Sequence, residues 1–489
     1  MILSSSYNII ITISYRAEAW IESHVGGPLY QYQSSLPKLP VPSIENTLQR
    51  FLPTALPLAK SAQEARNLQT AVDKFAKQAA PLQQRLLARS NEYSNSSWLQ
   101  HWWNTLGYLD VRDSVVINVS YYFHFADDST VYDYLSSTSA PSAQIRRAAA
   151  LLFTTAQVRN QVVSGTWPPQ LLGKPPQQTP LCNTAFKYLF HACRIPHSPR
   201  DSYRIYDPAL HTHAAVMVKG HIFTVPLVEP GTHQPVSLAT LEASLQMAVD
   251  KAHQAGDAAP AMGLSWCTTS NRDDWAAARD SLDASTLQAL AKLESAACLV
   301  CLDDCEAHTT RDMGHLLLHG QASATPNSPI NRWFDKSLQY IVTKNGKAGL
   351  NGEHSMMDGM PVVTLADKLS TVSYEDCIAA SNEFATDHVD PFADFVLPPA
   401  STGGASSTVT RQHIQKAMDD FDSWVGEHEL HPCRFAGYGS QWIKDHAKAS
   451  PDAYVQMAMQ VSPDVSMCCM CARWMYVCHN VVSDDILIN

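Results

Sequence analysis

No apolar run in the 489-residue chain approaches the roughly 20 residues needed to cross a bilayer. The best candidate, residues 7–13, is too short. No Lys or Arg precedes Arg16, so it also lacks the basic lead of a secretory signal, and it makes a weak transit peptide. The C-terminal ILIN is not a peroxisomal address. Basic residues are in deficit. The balance of 35 Lys+Arg against 46 Asp+Glu gives a net charge of −11, which argues against a general nucleic-acid binder. A local lysine cluster could still hold an anionic nucleotide. The 12 Cys form no paired framework and follow no secretory signal, so reduced thiols are expected. What is plentiful is apolar content: 45% hydrophobic residues suffice for a large core and two domains.

One cysteine cluster has a spacing that could suggest zinc: Cys298, Cys301, Cys305 and His308. But 298–302 (CLVCL) reads as a buried strand, on which Cys298 and Cys301 face opposite sides. There is no second CxxC. These thiols are expected to act as small hydrophobes, with no metal site.

The chain is organised around residues 338–367, LQYIVTKNGKAGLNGEHSMMDGMPVVTLAD. LQYIVT reads as a strand, Asn345-Gly346 as its hairpin turn, and the return strand delivers His354 at or just past its end. Pro361 opens a helix. Imidazole titrates near neutrality, so a histidine held there can take and return a proton. Asp358 is placed to brace the turn by pairing with a distant arginine. With 20 His in the chain, a single His beside an acid means little alone.

Other stretches read as follows. Residues 36–42 are extended by their prolines, and Ser43 caps a helix starting at Ile44. Residues 58–92 form two helices broken near Pro81. Residues 97–125 carry Trp102, Trp103, Tyr108, Leu109 and Arg112 on a buried aromatic helix leading to a strand. Helices are expected over 142–164, 238–255 and 408–430, a loop over 168–182, and a hairpin over 213–228 turning at Lys219-Gly220. Arg194 pairs structurally with Asp201. Arg332, Asp335 and Lys336 fix local structure. Residues 398–407 are a flexible loop.

The string Glu353-His354-Ser355-x-x-Asp358-Gly359-x-Pro361 resembles the active-site motif of the carnitine/choline acyltransferases. Companion pieces occur in the same chain order: the Pro-spaced 34–52, the Trp-Trp…Tyr-Leu…Arg set, Cys182, Arg194, Ile195, Pro196 and Asp201, and Asn-Arg-Trp-Phe-Asp-Lys at 331–336. By the same resemblance, residues 263–282 are a strand, a turn and a helix, which Asn271 or Ser270 can cap. Residues 434–460 resemble the family's CoA-binding turn, keeping Lys444 but holding Ser440 where another Lys is usual. The resemblance implies an α/β, chloramphenicol acetyltransferase-like fold with mixed sheets flanked by helices. It divides the chain into 1–32 unmatched, 33–383 carrying His354, 384–460 opening an incomplete second domain, and 461–489 divergent.

It also implies reversible transfer of a short acyl group, acetyl, between CoA and carnitine. His354 would be the general base and Asp358 its support, with Lys444, Lys448 and Asp452 contacting CoA. Asp452 could equally cap a helix. CoA and acetyl-CoA would be substrates, with no resident cofactor, in a monomeric mitochondrial or peroxisomal protein. The family's Ser-Thr-Ser oxyanion donor and its carnitine-carboxylate ligands lie beyond the resemblance. After Gln460 the text reads like an altered reading frame or unspliced intron, and residues 1–26 like more of the same. The alternatives are an inactive chain that binds CoA or a partner, and an enzyme that uses choline or longer acyl chains.

Overall fold

The computed structural model describes residues 27–92, 97–133, 141–255, 263–320, 331–397, 408–432 and 435–461. They fall into two compact units. The smaller comprises residues 29–108 and 168–184, and the larger holds the remainder, including 384–461. The 398–407 loop, residues 1–26 and the tail beyond 461 lie outside the described residues. In chain order the strands are β1 (Tyr121–His124), β2 (Leu171–Leu172), β3 (Thr179–Pro180), β4 (Ala192–Ile195), β5 (Ser202–Ile205), β6 (His213–Val218), β7 (His221–Pro226), β8 (Leu299–Leu302), β9 (Leu338–Val342), β10 (Ala348–Gly352) and β11 (Asp394–Phe395).

The smaller unit is helical. Ser43 accepts a hydrogen bond from Asn46 N and caps the helix Ile44–Ala55, as its sequence predicts. Helices Ala62–Gln78 and Ala80–Glu92 break at Ala79, leaving Pro81 in the first turn of the second, where its missing N–H costs nothing. The expected loop at 168–182 contains the short antiparallel pair β2–β3. The aromatic segment differs from expectation. Its helix, Gln100–Asn104, continues as a π-helical turn, Thr105–Leu109, but Trp103 is exposed rather than core. Trp102 instead receives the Arg89 guanidinium 4.2 Å over its ring.

The larger unit is built on a mixed seven-stranded sheet in the order β1-β10-β9-β8-β6-β7-β11. The β6–β8 and β8–β9 pairs are parallel and the others antiparallel. The apolar text of β8, LVCL, and most of β6, HAAVMV, is that of inner strands covered on both faces. The helix Ala143–Val163 is capped by Ser142 and buried on nearly every side, with Ala148, Leu152, Phe153 and Ala156 inaccessible. Two turns fix the hairpins. Lys219 and Gly220 both take positive φ, 49° and 76°, the geometry of a two-residue type I′ turn. The β9–β10 loop is one residue longer than Asn-Gly alone suggests. Thr343 N donates to Lys347 O at 3.0 Å, and Gly346 takes the left-handed φ of 75°.

Two further departures concern helices. Residues 264–269 are not a strand but a 3-10 helix, Leu264–Thr269, followed by a helix capped through Asn271. The helix expected to reach 430 ends at Gly426.

The signature 331–336 is indeed structural. Arg332 makes a two-pronged pair with Asp303, at 2.7 and 2.6 Å, in full burial. Lys336 Nζ donates to the backbone oxygens of Ala192, Glu294 and Ala296 at 3.2, 2.8 and 2.6 Å, while burial pushes its pKa down to about 8.

Candidate functional site

Strand β10 stops at Gly352, between Tyr121 of β1 and Leu338 of β9 in register. One more backbone bond, Glu353 N to Ser337 O at 3.3 Å, carries the pairing a step further. His354 therefore sits just past a strand end, on backbone held by two neighbouring segments. Its side chain is 31% exposed, while Glu353 and Ser355 are buried. Past the strand end the chain bends at 355–357, and the side chains on either side of His354 are buried while its own is partly open. The edge of the His354 ring meets Tyr121, with centroids 5.1 Å apart and planes at 89°.

Asp358 lies four residues on. Its carboxylate caps the helix Gly359–Thr371 by accepting from Gly359 N at 2.8 Å, so the helix opens two residues before Pro361. Its Oδ1 stands 3.5 Å from His354 Nε2. Among the described residues no arginine pairs with it; His354 and the helix end take that place. The His354 interaction, with help from the Gly359 N–H, holds the Asp358 carboxyl below the usual carboxylate range. The pair sets an ionised acid beside an imidazole that reaches solvent. It can receive a proton on the ring and offer a counter-charge when it does.

Beneath the exposed ring lies a buried polar network. Arg194 Nη1 donates to Ser355 Oγ at 2.6 Å and approaches Glu353 Oε1 at 3.4 Å. Ser355 N donates to Glu353 Oε2 at 3.1 Å, and the Ser355 hydroxyl also meets Glu353. The predicted Arg194–Asp201 pair is present at 2.6 Å, but Asp201 serves three guanidiniums. Arg272 binds it at 2.6 Å and Arg112 at 3.1 Å. Arg272 continues to Asp335 at 2.7 Å, which accepts from Trp275 Nε1 at 2.6 Å. Burial alone would raise the Asp201 pKa; Arg272 and Arg194 outweigh it and hold the carboxyl below its ordinary value. The sequence named most of these residues, yet only as separate local features. The inward-outward-inward alternation at 353–355 was the available signal that Glu353 and Ser355 work as a pair.

The other candidates lie in a second cluster of the larger unit. Lys444 is exposed on the turn Ile443–Ala447, and Lys448 ends that turn at a left-handed φ of 53°. Asp452 is exposed in the first turn of the helix Pro451–Val461. Ser450 Oγ, 3.5 Å from Ala453 N, occupies the capping position offered to Asp452. The lysines thus present two positive charges one turn apart, a spacing that suits a phosphate-bearing ligand as point charges.

A choline/carnitine O-acyltransferase family model matches residues 39–463, most of the chain. The chain belongs to the choline/carnitine O-acyltransferase family. It is 26% identical to carnitine O-acetyltransferase, mitochondrial, of Saccharomyces cerevisiae, over 89% of this chain and 62% of that protein. It is 28% identical to peroxisomal carnitine O-octanoyltransferase of Bos taurus, over 88% and 68%. With carnitine O-palmitoyltransferase 2, mitochondrial, of Macaca fascicularis it shares 26%, over 89% and 66%. The chain spans about two thirds of the length of these relatives. The match begins a few residues later and ends a few residues later than the quoted motifs indicate.

Two features of this acyltransferase chain bear on other classes of function. Cys298 and Cys301 lie in or beside β8, buried, and burial pushes both thiols up to about 12. His308, by contrast, is largely exposed beside Glu306. Among the described residues no three His, Cys, Asp or Glu side chains gather to hold a metal, and no helix is long and apolar enough to cross a membrane.

Proposed function

We propose that the chain reversibly transfers a short acyl group, acetyl, between CoA and carnitine, with His354 as general base. The observation that supports this reading is the imidazole at the end of β10, partly open to solvent, beside the ionised Asp358. His354 takes the proton of the carnitine hydroxyl as its oxygen attacks the thioester carbonyl. The tetrahedral adduct collapses, the C–S bond breaks, and the imidazolium returns its proton to the departing CoA sulfur. Lys444 and Lys448 pair with CoA phosphates, and Asp452 adds a contact from the following helix. The acyl and acceptor preferences rest on resemblance to relatives whose names cover acetyl, octanoyl and palmitoyl transfer. By the same resemblance the compartment is mitochondrial or peroxisomal.

The test is to supply the purified 489-residue chain with carnitine or choline and with acetyl-, octanoyl- or palmitoyl-CoA. Acyl esters would be detected by mass, because 12 cysteines would confound a thiol reagent. Acetylcarnitine should form fastest. Faster octanoyl or palmitoyl transfer would overturn the chain-length assignment, and faster choline ester formation the acceptor. CoA binding without any ester would sink the enzymatic reading.

The packing around the ring adds a second expectation. A Cβ on Gly352 would lie 3.0 to 3.2 Å from the Tyr121 ring, which itself packs on His354. Gly352→Ala should push that ring against the imidazole and lower kcat by about tenfold, since displacements well under 1 Å already misalign a reacting group. Unchanged kcat would show that Tyr121 does not set the His354 position.

A further inference from the structure

Resting on the reading of His354 as base, we propose that Arg194 is a positioning residue for it, acting through Ser355 and Glu353. The His354 ring meets the Tyr121 ring edge-on, and its Nε2 stands 3.5 Å from Asp358 Oδ1. The residues on either side of it are held from below. Arg194, on β4, is buried and reaches both, touching Ser355 Oγ at 2.6 Å and Glu353 Oε1 at 3.4 Å. Ser355 N closes the loop onto Glu353 Oε2 at 3.1 Å. Arg194 is itself fixed by Asp201 at 2.6 Å, and Asp201 by Arg272 at 2.6 Å.

The mechanical consequence follows from the alternation of burial along 353–355. Pinning the inward side chains at 353 and 355 fixes the peptide planes on both sides of 354, and with them the direction of its Cα–Cβ bond. Supporting hydrogen bonds of this kind hold a reacting group within the fraction of an ångström that proton transfer requires. A surface histidine without such support samples several rotamers. The guanidinium fork matters here, because one planar group must satisfy a hydroxyl and two carboxylates in fixed directions, which an ammonium point charge does not do.

The experiment compares wild type with Ser355→Ala, Ser355→Thr, Arg194→Lys and the Arg194→Lys/Ser355→Ala double variant, each checked for cooperative thermal unfolding. Ser355→Ala removes the hydroxyl without stranding a charge, so it tests the proposal even if Arg194→Lys does not fold. Ser355→Ala should lower kcat for acetyl transfer about tenfold with KM for both substrates within about twofold. Ser355→Thr should restore most of the rate. The double variant should be no slower than Arg194→Lys, because both changes break one path. Wild-type kcat in Ser355→Ala, or a fall in KM terms alone, overturns the proposal.

A readout independent of turnover accompanies these. Diethyl pyrocarbonate modifies neutral imidazole, and peptide mass mapping locates the product at His354. Its rate at His354 should rise about threefold or more in Ser355→Ala, as the ring loosens from Asp358, and return in Ser355→Thr. Equal modification rates in all variants overturn the positioning role. Absence of turnover in wild type counts against the proposed function alone, and the modification rates then decide the role of Arg194.

Discussion

Replacing His354 by Ala is expected to lower acetyl transfer by two to four orders of magnitude, the span over which a positioned general base accelerates proton transfer. The loss should appear in kcat, with KM for acetyl-CoA little changed, because the imidazole acts on the acceptor hydroxyl and not on the bound nucleotide. Asp358→Asn should show a smaller loss. It keeps a side chain able to cap the helix Gly359–Thr371 but removes the counter-charge 3.5 Å from the ring. Mass detection of acetylcarnitine, with wild type and variant prepared side by side, measures both. An Ala variant that keeps more than about a tenth of wild-type kcat would remove His354 from the mechanism.

The second large effect concerns stability. Asp201 is the shared acceptor of Arg112, Arg194 and Arg272, and the last two are almost wholly buried. Asp201→Asn leaves that cluster without its central negative charge. Arg194 keeps Glu353 and Arg272 keeps Asp335, so the loss should fall at the low end of the cost of breaking a buried pair, about 3 kcal/mol, still a large part of the roughly 5–15 kcal/mol that holds a typical domain folded. Urea unfolding of wild type and variant should show that gap at neutral pH. Its pH dependence has a definite sign. The Asp201 carboxyl is held below its ordinary value, so its contribution is fully present above the unfolded-chain pKa of about 3.9 and is lost as pH falls through the lower folded value. The gap should therefore stay constant from pH 7 to about 5 and close only in stronger acid. A gap that closes near pH 6 would mean another group is responsible.

The two predictions draw on parts of the molecule that were unequally visible in the sequence. The hairpin carrying His354 was legible because strand propensity, Asn345-Gly346 and the polar return all point the same way. The buried signature at 331–336 was legible because its charged residues are embedded among Trp333 and Phe334. Local patterns misled where tertiary packing decides. Residues 264–269 are expected as a strand by the family resemblance, yet the backbone coils into a 3-10 helix whose Thr268 and Thr269 hydroxyls bond to backbone oxygens within the turn. Trp103 belongs to an aromatic run but stays exposed, since a helix turns only one face of such a run inward. The Asp358 arginine was expected because a carboxylate near a base usually needs a cation. The helix end beginning at Gly359 supplies donors instead, and no spacing rule reveals that. Arg194, Asp201 and Arg272 lie far apart in the text, and only the folded chain shows that they form one unit.

The order of strands also sets a schedule for biosynthesis. Among the described residues β1 pairs with β10 alone, whose first residue emerges about 220 positions later. At ribosomal rates of about 5–20 residues per second, Tyr121 waits on the order of 10 to 45 seconds for the segment that carries its histidine partner. Through that interval the Tyr121–His124 stretch, YYFH, has open backbone donors and acceptors and two aromatic residues destined for burial. The nascent chain thus passes through a long window in which this strand is unpaired and open to association, and it is covered only when the β9–β10 hairpin arrives.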